Sequence, residues 1–327
     1  MEARRPDVTV SIVNTNNCAL LEKCLESLFE QTSPALSMEV YLVDNVSTDG
    51  SREMVRARFP AVRLIGNERR EGFGANHNKV LRVGRGRYFL VLNEDTVILD
   101  RAIEKLVAFA DRHPEAGIVG PKTFNPDGTL QDTCVRFPTL LRQLRHILFQ
   151  RYADYCVLSY PPAIHDTAAD VEWLRGSCLL VRREALEQVG LLDERFFIFY
   201  EEVDWCYRMR QAGWRNLLCP EAHIIHIGKQ TVQRGGTGGI AMAAQMTLSE
   251  YLYFDKHYPR VAGPAWRLLM LLYLPLRLLK TYLPLARRTP EEQRWQRRVL
   301  RHLFWLTTRP PRQLIEIGKA PGGVLRV

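Results

Sequence analysis

Five short stretches of this chain carry side chains whose types and spacing could do chemistry. Asn93-Glu94-Asp95 closes an apolar run at residues 88–92. If that strand stays extended, Asn93 and Asp95 share one face and Glu94 points away. An oxygen pair at this spacing suits Mg²⁺ or Mn²⁺ held mostly through diphosphate oxygens and water. The competing use of Asp95 is to cap a helix starting near Val97. Glu201, Glu202 and Asp204 crowd beside an aromatic run at 196–200. On a helix, Glu201 and Asp204 share a face, with Glu202 about 100° away. Apolar neighbours raise a carboxylate pKa and favour a general base. An acidic first turn, stabilised by the helix dipole, explains the same residues without chemistry. His226 ends an apolar strand and precedes residues 228–239, which hold five glycines. A lone histidine is usually structural; it becomes a metal ligand if its strand delivers it to the crevice of Asp95. Asn14-Thr15-Asn16 and Asp44-Asn45 also follow apolar runs, at 8–13 and 40–43.

These residues need elements to position them. The first half alternates strand and helix. Residues 8–13, 40–43, 62–65 and 88–92 are apolar strands. Residues 19–31 carry Leu20, Leu21, Cys24, Leu25 and Leu28 at helical spacing. A further helix is expected from caps at Ser47, Thr48 and Asp49 through about residue 58, and others over 72–83 and 103–110. Uninterrupted apolar strands alternating with helices indicate a parallel sheet covered on both faces. In such sheets ligands bind beyond the C-terminal strand ends. The clusters at 14–16, 44–45 and 93–95 therefore converge on one crevice. Beyond residue 120 the pattern is less regular. Residues 125–128 (Asn-Pro-Asp-Gly) form a turn. Residues 137–160 read as a helix and a connection over the sheet. Strands are expected within 172–182 and over 216–219 and 222–227, and a helix over 201–212.

Gly72-Phe73-Gly74 is not a dinucleotide fingerprint, because His77 stands where a third glycine is required and the segment does not follow the first strand. A P-loop is absent as well. The seven cysteines form no CxxC and are expected to be free thiols.

Of the 327 residues, 46% are hydrophobic and 25% charged, an ordinary globular composition. The net charge of +9 is unevenly placed. Residues 260–327 hold 14 Lys+Arg against 3 Asp+Glu, which leaves the rest of the chain close to neutral. This basic tail calls for an anionic partner of its own. Residues 266–286 are leucine-rich and interrupted by Pro275 and Pro284. On a helical projection Arg267, Arg277, Lys280, Arg287 and Arg288 fall within roughly 160°, with leucines mostly opposite. The longest uncharged apolar piece there is 268–276, well short of the roughly 20 residues a crossing helix needs. The segment 266–301 is expected to lie on an anionic membrane surface; the alternative is a leucine face packed on the catalytic domain or on a second subunit. Nucleic acid is not an expected partner, because leucine faces without interleaved aromatics suit lipid better. No apolar signal core follows Arg4 and Arg5, so no cleaved signal peptide is expected. The sequence assigns no oligomeric state.

Taken in order, residues 8–16, VDNVSTDGS (43–51), GFGANHN (72–78) and FLVLNEDT (89–96) resemble family 2 glycosyltransferases of the GT-A fold. GSCLLVRREALEQVGLLDERFFIFYEEVDWCYRMRQAGW (176–214) and PEAHIIHIGKQT (220–231) resemble the bacterial rhamnosyltransferase-like branch. The resemblance implies an α/β GT-A domain over residues 1–240, with a Rossmann-like, mostly parallel sheet. Its nucleotide-binding half is about 1–120 and its acceptor and catalytic half 121–240. A basic helical extension follows at 241–327.

The same resemblance implies roles. Asp44 takes the place of the acidic residue that hydrogen-bonds the nucleotide base. Asn14, Gly72, Gly74 and Asn76 belong to pocket-lining motifs; Asn16, Asn45, Asn93 and Gly176 complete the expected nucleotide-sugar set. Asn93-Glu94-Asp95 replaces the family's metal-binding DxD, keeping only its last Asp. Asp95 and His226 would hold the cation. Glu201-Glu202 matches a Glu-Asp pair whose second member is the base, here Glu202. The implied activity is inverting transfer from a nucleotide-diphospho-sugar, most simply dTDP-L-rhamnose, to a polyprenyl-linked or cell-surface glycan acceptor. It would act at the cytoplasmic face of a bacterial inner membrane, as a peripheral or monotopic protein. A UDP-hexose or galactofuranose donor, or a subunit that binds nucleotide-sugar without catalysis, remain the alternatives. Lys229 and Arg234 are expected to close over the diphosphate or to sit in a solvated loop. A nucleotidyltransferase would need a glycine-rich basic segment after the first strand, which residues 14–18 lack.

Overall fold

The computed structural model describes residues 5–148, 159–228, 237–258, 262–282 and 289–309. The chain divides into two compact units, one of residues 1–137, 158–193 and 201–228, the other of 138–157, 194–200 and 229–327. Residues 138–148, expected as a cover over the sheet, group with the C-terminal helices.

The first unit is an α/β sandwich. Its opening elements are β1 (Val8–Asn14), α1 (Cys18–Glu30), β2 (Met38–Asp44), α2 (Ser51–Arg58), β3 (Arg63–Gly66), α3 (Phe73–Val83), β4 (Tyr88–Asn93), β5 (Thr96–Leu99) and α4 (Ala102–Arg112). They continue as β6 (Ala116–Phe124), β7 (Leu130–Gln131) and β8 (Cys134–Val135). After the break come β9 (Ala169–Val171), β10 (Trp173–Leu174), β11 (Cys178–Arg182), α6 (Arg183–Val189), α7 (Glu201–Gln211) and β12 (Arg215–His226). The intervening α5 (Leu140–Leu148) belongs to the other unit.

Among the described residues the central sheet has ten strands, ordered β3-β2-β1-β4-β11-β6-β12-β5, with β7 on β6 and β9 on β12. The parallel arrangement expected from the sequence runs through β3-β2-β1-β4 and recurs at β6-β12. Between these two groups β11 runs antiparallel to both β4 and β6. A short apolar strand such as Cys178–Arg182 carries no directional signal, so composition could not reveal this reversal.

The helices form for the reason their spacing suggests. In α1, Leu21, Cys24, Leu25 and Leu28 lie inside at i, i+3, i+4 and i+7. They meet Val8, Val10 and Ile12 of β1 and Leu90 and Leu92 of β4 in the main core. Full burial of each such side chain contributes about 1.5–3 kcal/mol. All six described cysteines are free thiols, as the lack of a CxxC suggested. Burial pushes Cys24, Cys134, Cys206 and Cys219 up to about 12, so these thiols stay protonated.

The second unit is helical: α5, α8 (Thr237–His257), α9 (Ala262–Lys280) and α10 (Pro290–Thr307). Thr289 and Glu292 form a reciprocal capping box that starts α10. Within α9, Trp266, Met270 and Leu274 are buried at four-residue spacing. Leu268, Leu272, Leu276 and Leu279 make a second, exposed stripe, each about 60% accessible. The basic residues are less free than the projection suggested. Arg267 donates to the Thr307 carbonyl at 3.0 Å. Arg297 donates to the Thr281 carbonyl at 2.7 Å and stacks on Tyr282. No helix among the described residues is long and apolar enough to cross a membrane. Arg287 and Arg288 lie outside the described residues.

One buried group makes stability depend on pH. His77 of α3 is fully buried, 2.8 Å from Ser11 Oγ. Burial pushes it down to about 3, against an ordinary 6.5. The folded ring stays neutral while the unfolded chain takes up a proton below pH 6.5. Stability therefore falls as pH drops through 6.5 toward 3. Between pH 7 and pH 5 this residue should account for a loss of about 2 kcal/mol. Urea unfolding of the wild type and of His77→Gln at both pH values measures it: the loss should shrink by that amount in the variant, and equal losses would refute the assignment.

Candidate active site

The sheet brings the expected strand-end residues to one edge. Asn14 and Asp44 are register partners on adjacent parallel strands, and Val13 pairs with Asn93. Asp44 is fully buried. Its Oδ2 accepts Arg52 Nε at 2.6 Å and the Ser47 amide at 3.1 Å. Its Oδ1 is buried and accepts no hydrogen bond among the described residues. Asn14 donates from Nδ2 to Ser47 Oγ at 3.0 Å, and its Oδ1 is likewise buried and unengaged. Two open acceptors thus sit side by side at the ends of β1 and β2.

The neighbouring amides are engaged differently. Asn16 Oδ1 accepts the Thr48 amide at 2.7 Å, and the Asn16 amide donates to Ser47 Oγ. The two strand-end loops are thereby stitched together. Val46, in the second of these loops, has φ +62°, a left-handed conformation that costs a β-branched residue about 1–3 kcal/mol and survives only where surrounding bonds impose it. Asn45 holds the residue-71 backbone from both sides, accepting the Glu71 amide at 2.9 Å and donating to the Glu71 carbonyl at 3.1 Å. Asn76 donates to the Glu71 and Gly72 carbonyls and accepts from Asn67 at 2.6 Å. Asn45 and Asn76 thus spend their polar atoms on positioning the turn into α3. Asn67, which bridges them, was not singled out by sequence; a lone Asn after a short strand gives no local signal.

Gly72 is the extended residue ahead of α3. A side chain at Gly74 would press on Leu192 Cβ at 3.2 Å and approach Glu201 Cβ at 4.0 Å. Gly74 thus lets the start of α3 approach Leu192. Gly176 lies against Glu202, whose Cβ and Cγ stand 3.6 Å from where a side chain on Gly176 would begin, an ordinary van der Waals contact. The Asn93 amide donates to the Ser177 carbonyl at 3.0 Å, which seats residues 176–177 against the end of β4.

The three carboxylates of α7 separate by environment. Asp204 is fully buried and pairs with Arg208 Nε at 2.8 Å; Arg208 also donates to the Val189 and Leu191 carbonyls. Glu201 is buried beside Gly74. Glu202, on a different face, is half-buried against Gly176. Asp204 thus has a structural use, whereas Glu201 lies beside Gly74 and Glu202 beside Gly176.

At residues 93–96 the structure corrects an expectation. The strand does not stay extended, and no helix starts at Val97. β4 ends at Asn93, Glu94-Asp95 is a turn, and β5 begins at Thr96. Thr96 Oγ1 donates to the Asn93 carbonyl at 2.7 Å and closes the turn. Glu94 turns back to accept Asn17 Nδ2 at 2.7 Å. Desolvation, then the adjacent Asp95 carboxylate, push Glu94 up to about 7. Because β5 pairs with β12, with Thr96 opposite His226, the turn brings Asp95 to the histidine. His226 Nε2 lies 3.2 Å from Asp95 Oδ1 and 3.4 Å from Asn93 Nδ2. Asp95 Oδ2 accepts the Gly228 amide at 3.1 Å, and the Asp95 carbonyl accepts the Ile227 amide at 2.9 Å. Gly228 reaches its position with φ +54°. Lys229 and Arg234 lie outside the described residues.

These residues fit a divalent cation held by few protein atoms. Asp95 Oδ1 is buried and accepts no hydrogen bond among the described residues. Two ligand atoms on one octahedral ion, at right angles with bonds of about 2.1 Å, stand about 3.0 Å apart. The observed 3.2 Å between Asp95 Oδ1 and His226 Nε2 is close to that separation. Among the described residues no three His, Cys, Asp or Glu side chains gather around one point. Diphosphate oxygens and water would supply the remaining ligands.

The division of the α7 carboxylates can be measured. Asp204→Asn breaks a buried ion pair and should cost about 3 kcal/mol of stability, whereas Glu202→Gln should leave urea unfolding within about 1 kcal/mol of wild type. Equal destabilisation by the two would mean that Glu202 is also a structural residue.

Comparison with known proteins bears on this geometry. Residues 9–190 match the family described as Glycosyl transferase family 2. The chain is 31% identical over 252 residues to an N-acetylglucosaminyl-diphospho-decaprenol L-rhamnosyltransferase of Mycobacterium tuberculosis, covering 72% of this chain and 80% of that relative. It is 24% identical over 225 residues to a low-salt glycan biosynthesis hexosyltransferase of Haloferax volcanii, covering 67% of each. In fold it is similar to a mannosyltransferase of Pyrobaculum calidifontis solved with GDP-Man and Mn²⁺, with a TM-score of 0.54, 20% identity, and coverage of 97% of this chain and 80% of that one. That likeness shows the GT-A fold. The family match runs from the first strand to the helix that follows β11, more than half of the chain, and with it the chain belongs to glycosyltransferase family 2.

Proposed function

We propose that this glycosyltransferase moves a sugar, most simply L-rhamnose from dTDP-L-rhamnose, onto a hydroxyl of a polyprenyl-diphosphate-linked acceptor, with inversion. The observation that carries this reading is that Glu202 packs on Gly176, beside the Ser177 carbonyl that caps the β4 end next to the Asp95–His226 pair. A base and a cation site then border one strand-end crevice. The relative that acts on a decaprenol-linked substrate supports the acceptor class.

The chemistry follows from the residues. Asp44 Oδ1 and Asn14 Oδ1 are acceptors, so they favour a base that offers a ring N–H. Thymine, uracil and guanine offer one; cytosine does not. Glu202 takes the proton of the acceptor hydroxyl as its oxygen attacks the anomeric carbon. The bond from that carbon to the diphosphate oxygen breaks as the new one forms, so the configuration inverts without a covalent enzyme intermediate. Asp95 and His226 would hold Mg²⁺ or Mn²⁺, which offsets the charge growing on the diphosphate.

The C-terminal unit supports a place of action at a membrane surface. The exposed stripe of Leu268, Leu272, Leu276 and Leu279, with Lys280 beside it, suits the surface of an anionic membrane. Crossing would drag Arg277 and Lys280 into hydrocarbon at about 2.5–3.5 kcal/mol each. The cytoplasmic leaflet of a bacterial inner membrane is the surface that also holds the lipid-linked acceptor.

Three measurements test the proposal. Glu202→Gln should lower kcat by about 10²–10⁴, with the donor Kd from calorimetry within twofold of wild type; retained turnover would reject the base. A product-release screen across dTDP-, UDP- and GDP-sugars with Mn²⁺ or Mg²⁺ identifies the donor, and turnover with a UDP-hexose alone would replace rhamnose. For the membrane, vesicles containing anionic lipid should carry the full-length protein in flotation at low salt, less so at high salt. Leu272→Glu with Leu276→Glu should abolish that binding while leaving donor turnover with a soluble acceptor intact. Undiminished flotation of this variant would move the contact elsewhere.

A further inference from the structure

We propose that Gln131 is a positioning residue that holds His226 in its Nδ1–H tautomer, so that Nε2 presents a lone pair toward Asp95. The inference rests on the reading of Asp95 and His226 as a cation pair, and it assigns a use to a side chain outside the expected site.

Some groups around His226 have a hydrogen-bonding sense that is not open to choice. A backbone carbonyl only accepts. Gln131 Nε2 lies 3.1 Å from the His226 carbonyl oxygen, so this end of the side chain is the amide nitrogen. The same nitrogen donates to Asn125 Oδ1 at 2.9 Å. The sense of Asn125 is set in turn, because its Nδ2 donates to Thr129 Oγ1 at 2.9 Å and faces the Leu130 carbonyl at 3.4 Å. With both amides oriented, Gln131 Oε1 is the atom 2.7 Å from His226 Nδ1. An amide oxygen only accepts, so Nδ1 carries the hydrogen. A neutral imidazole has one N–H, and its Nε2 is then an acceptor. Asn93 Nδ2, an obligate donor 3.4 Å from Nε2, agrees with that assignment.

The backbone makes the arrangement rigid. Gln131 pairs with Thr123 across β7 and β6. The turn at 125–128 is closed by the Gly128 amide donating to the Asn125 carbonyl at 2.9 Å and by the Asn125 amide donating to the Thr129 carbonyl at 2.8 Å. Gly128 enables this turn with φ +82°. Asp127 Oδ1 accepts the Thr129 amide and hydroxyl at 2.9 and 2.6 Å. The Asn-Pro-Asp-Gly turn thus places Asn125 and Gln131 as an outer support for a ring 95 positions away. A neutral Nε2 lone pair and a carboxylate oxygen 3.2 Å apart repel each other unless a positive charge lies between or beside them. The support therefore makes sense for a ring that shares a cation with Asp95.

Nitrogen-15 NMR of the imidazole rings tests this on the metal-free, full-length protein at pH 8, with His226→Ala used to assign the signals. The wild type should show His226 as the Nδ1–H tautomer. Gln131→Met, of similar size but without an acceptor, should shift His226 toward the Nε2–H form. Gln131→Glu keeps an oxygen at Nδ1 and should retain the Nδ1–H form. Mn²⁺ titration of the same proteins, read by electron paramagnetic resonance, should show about 10–100-fold weaker binding in Gln131→Met. An Nε2–H or doubly protonated ring in the wild type, or an unchanged tautomer in Gln131→Met, would overturn the proposal. If the tautomer responds as expected but Asp95→Ala and His226→Ala bind Mn²⁺ as the wild type does, Gln131 still sets the ring and it is the cation reading that fails.

Discussion

The pairing of β11 with β4 is the constraint on which the site depends. Four parallel strands bring Asn14, Asp44 and Asn93 to one edge, as any open sheet of this kind does. They do not by themselves recruit the second half of the unit. β11 does so by running antiparallel along β4, with Cys178 opposite Leu92, so that residues 176–177 arrive where β4 stops. The Asn93 amide fastens Ser177 there, and Gly176 lies against Glu202. A one-residue slip in this pairing would turn every side chain of β11 to the opposite face and carry Glu202's support away from the strand end.

Polar atoms at this edge fall into two kinds. Asn16, Asn45, Asn67 and Asn76 have partners that stitch loops to one another, and Asp204 is neutralised by Arg208. By contrast, Asn14, Asp44 and Asp95 each keep one buried oxygen that accepts no hydrogen bond among the described residues. Burying an acceptor without a donor costs about 1–3 kcal/mol. A fold that retains three of them along one line of strand ends holds them in place with the saturated amides around them. The left-handed Val46 in one of these loops is part of the same strain.

Much of this could be read from sequence where the signal was local. The alternation of apolar runs with helical spacing yields α1, α3 and α4 between β1, β2, β3 and β4. The polar clusters at 14–16, 44–45 and 93–95 stand at strand ends because apolar β-runs stop there. The acidic turn at 201–204 opens a helix, as its charges favour. What escaped was non-local. The direction of β11 depends on its neighbours. The Glu94-Asp95 turn forms because β5 must reverse to meet β12, which lies more than a hundred residues later. Gln131 and Asn67 look like ordinary polar residues until the chain folds back on them. The resemblance of the ordered motifs to family 2 glycosyltransferases reached the family and the fold, and local periodicity alone would have stopped at a parallel α/β sheet.

The position of β11 also governs the order in which the sheet can be built. The strand lies between β4 and β6, yet it comes after both in the chain. While the protein is being synthesised, β4 must wait with an open edge until residue 182 has emerged, although β1, β2 and β3 can already pair with one another. β12, which sits between β6 and β5, emerges later still. Pairings over such separations fold slowly, because the loop must be closed before the contact forms. The four-stranded half is thus expected to exist first as a platform with one exposed, apolar edge, the state most prone to aggregate. His226 is the last residue of β12, so the Asp95–His226 pair is the last part of this sheet to be completed, and a chain that stops short of it carries the four-stranded half without that pair.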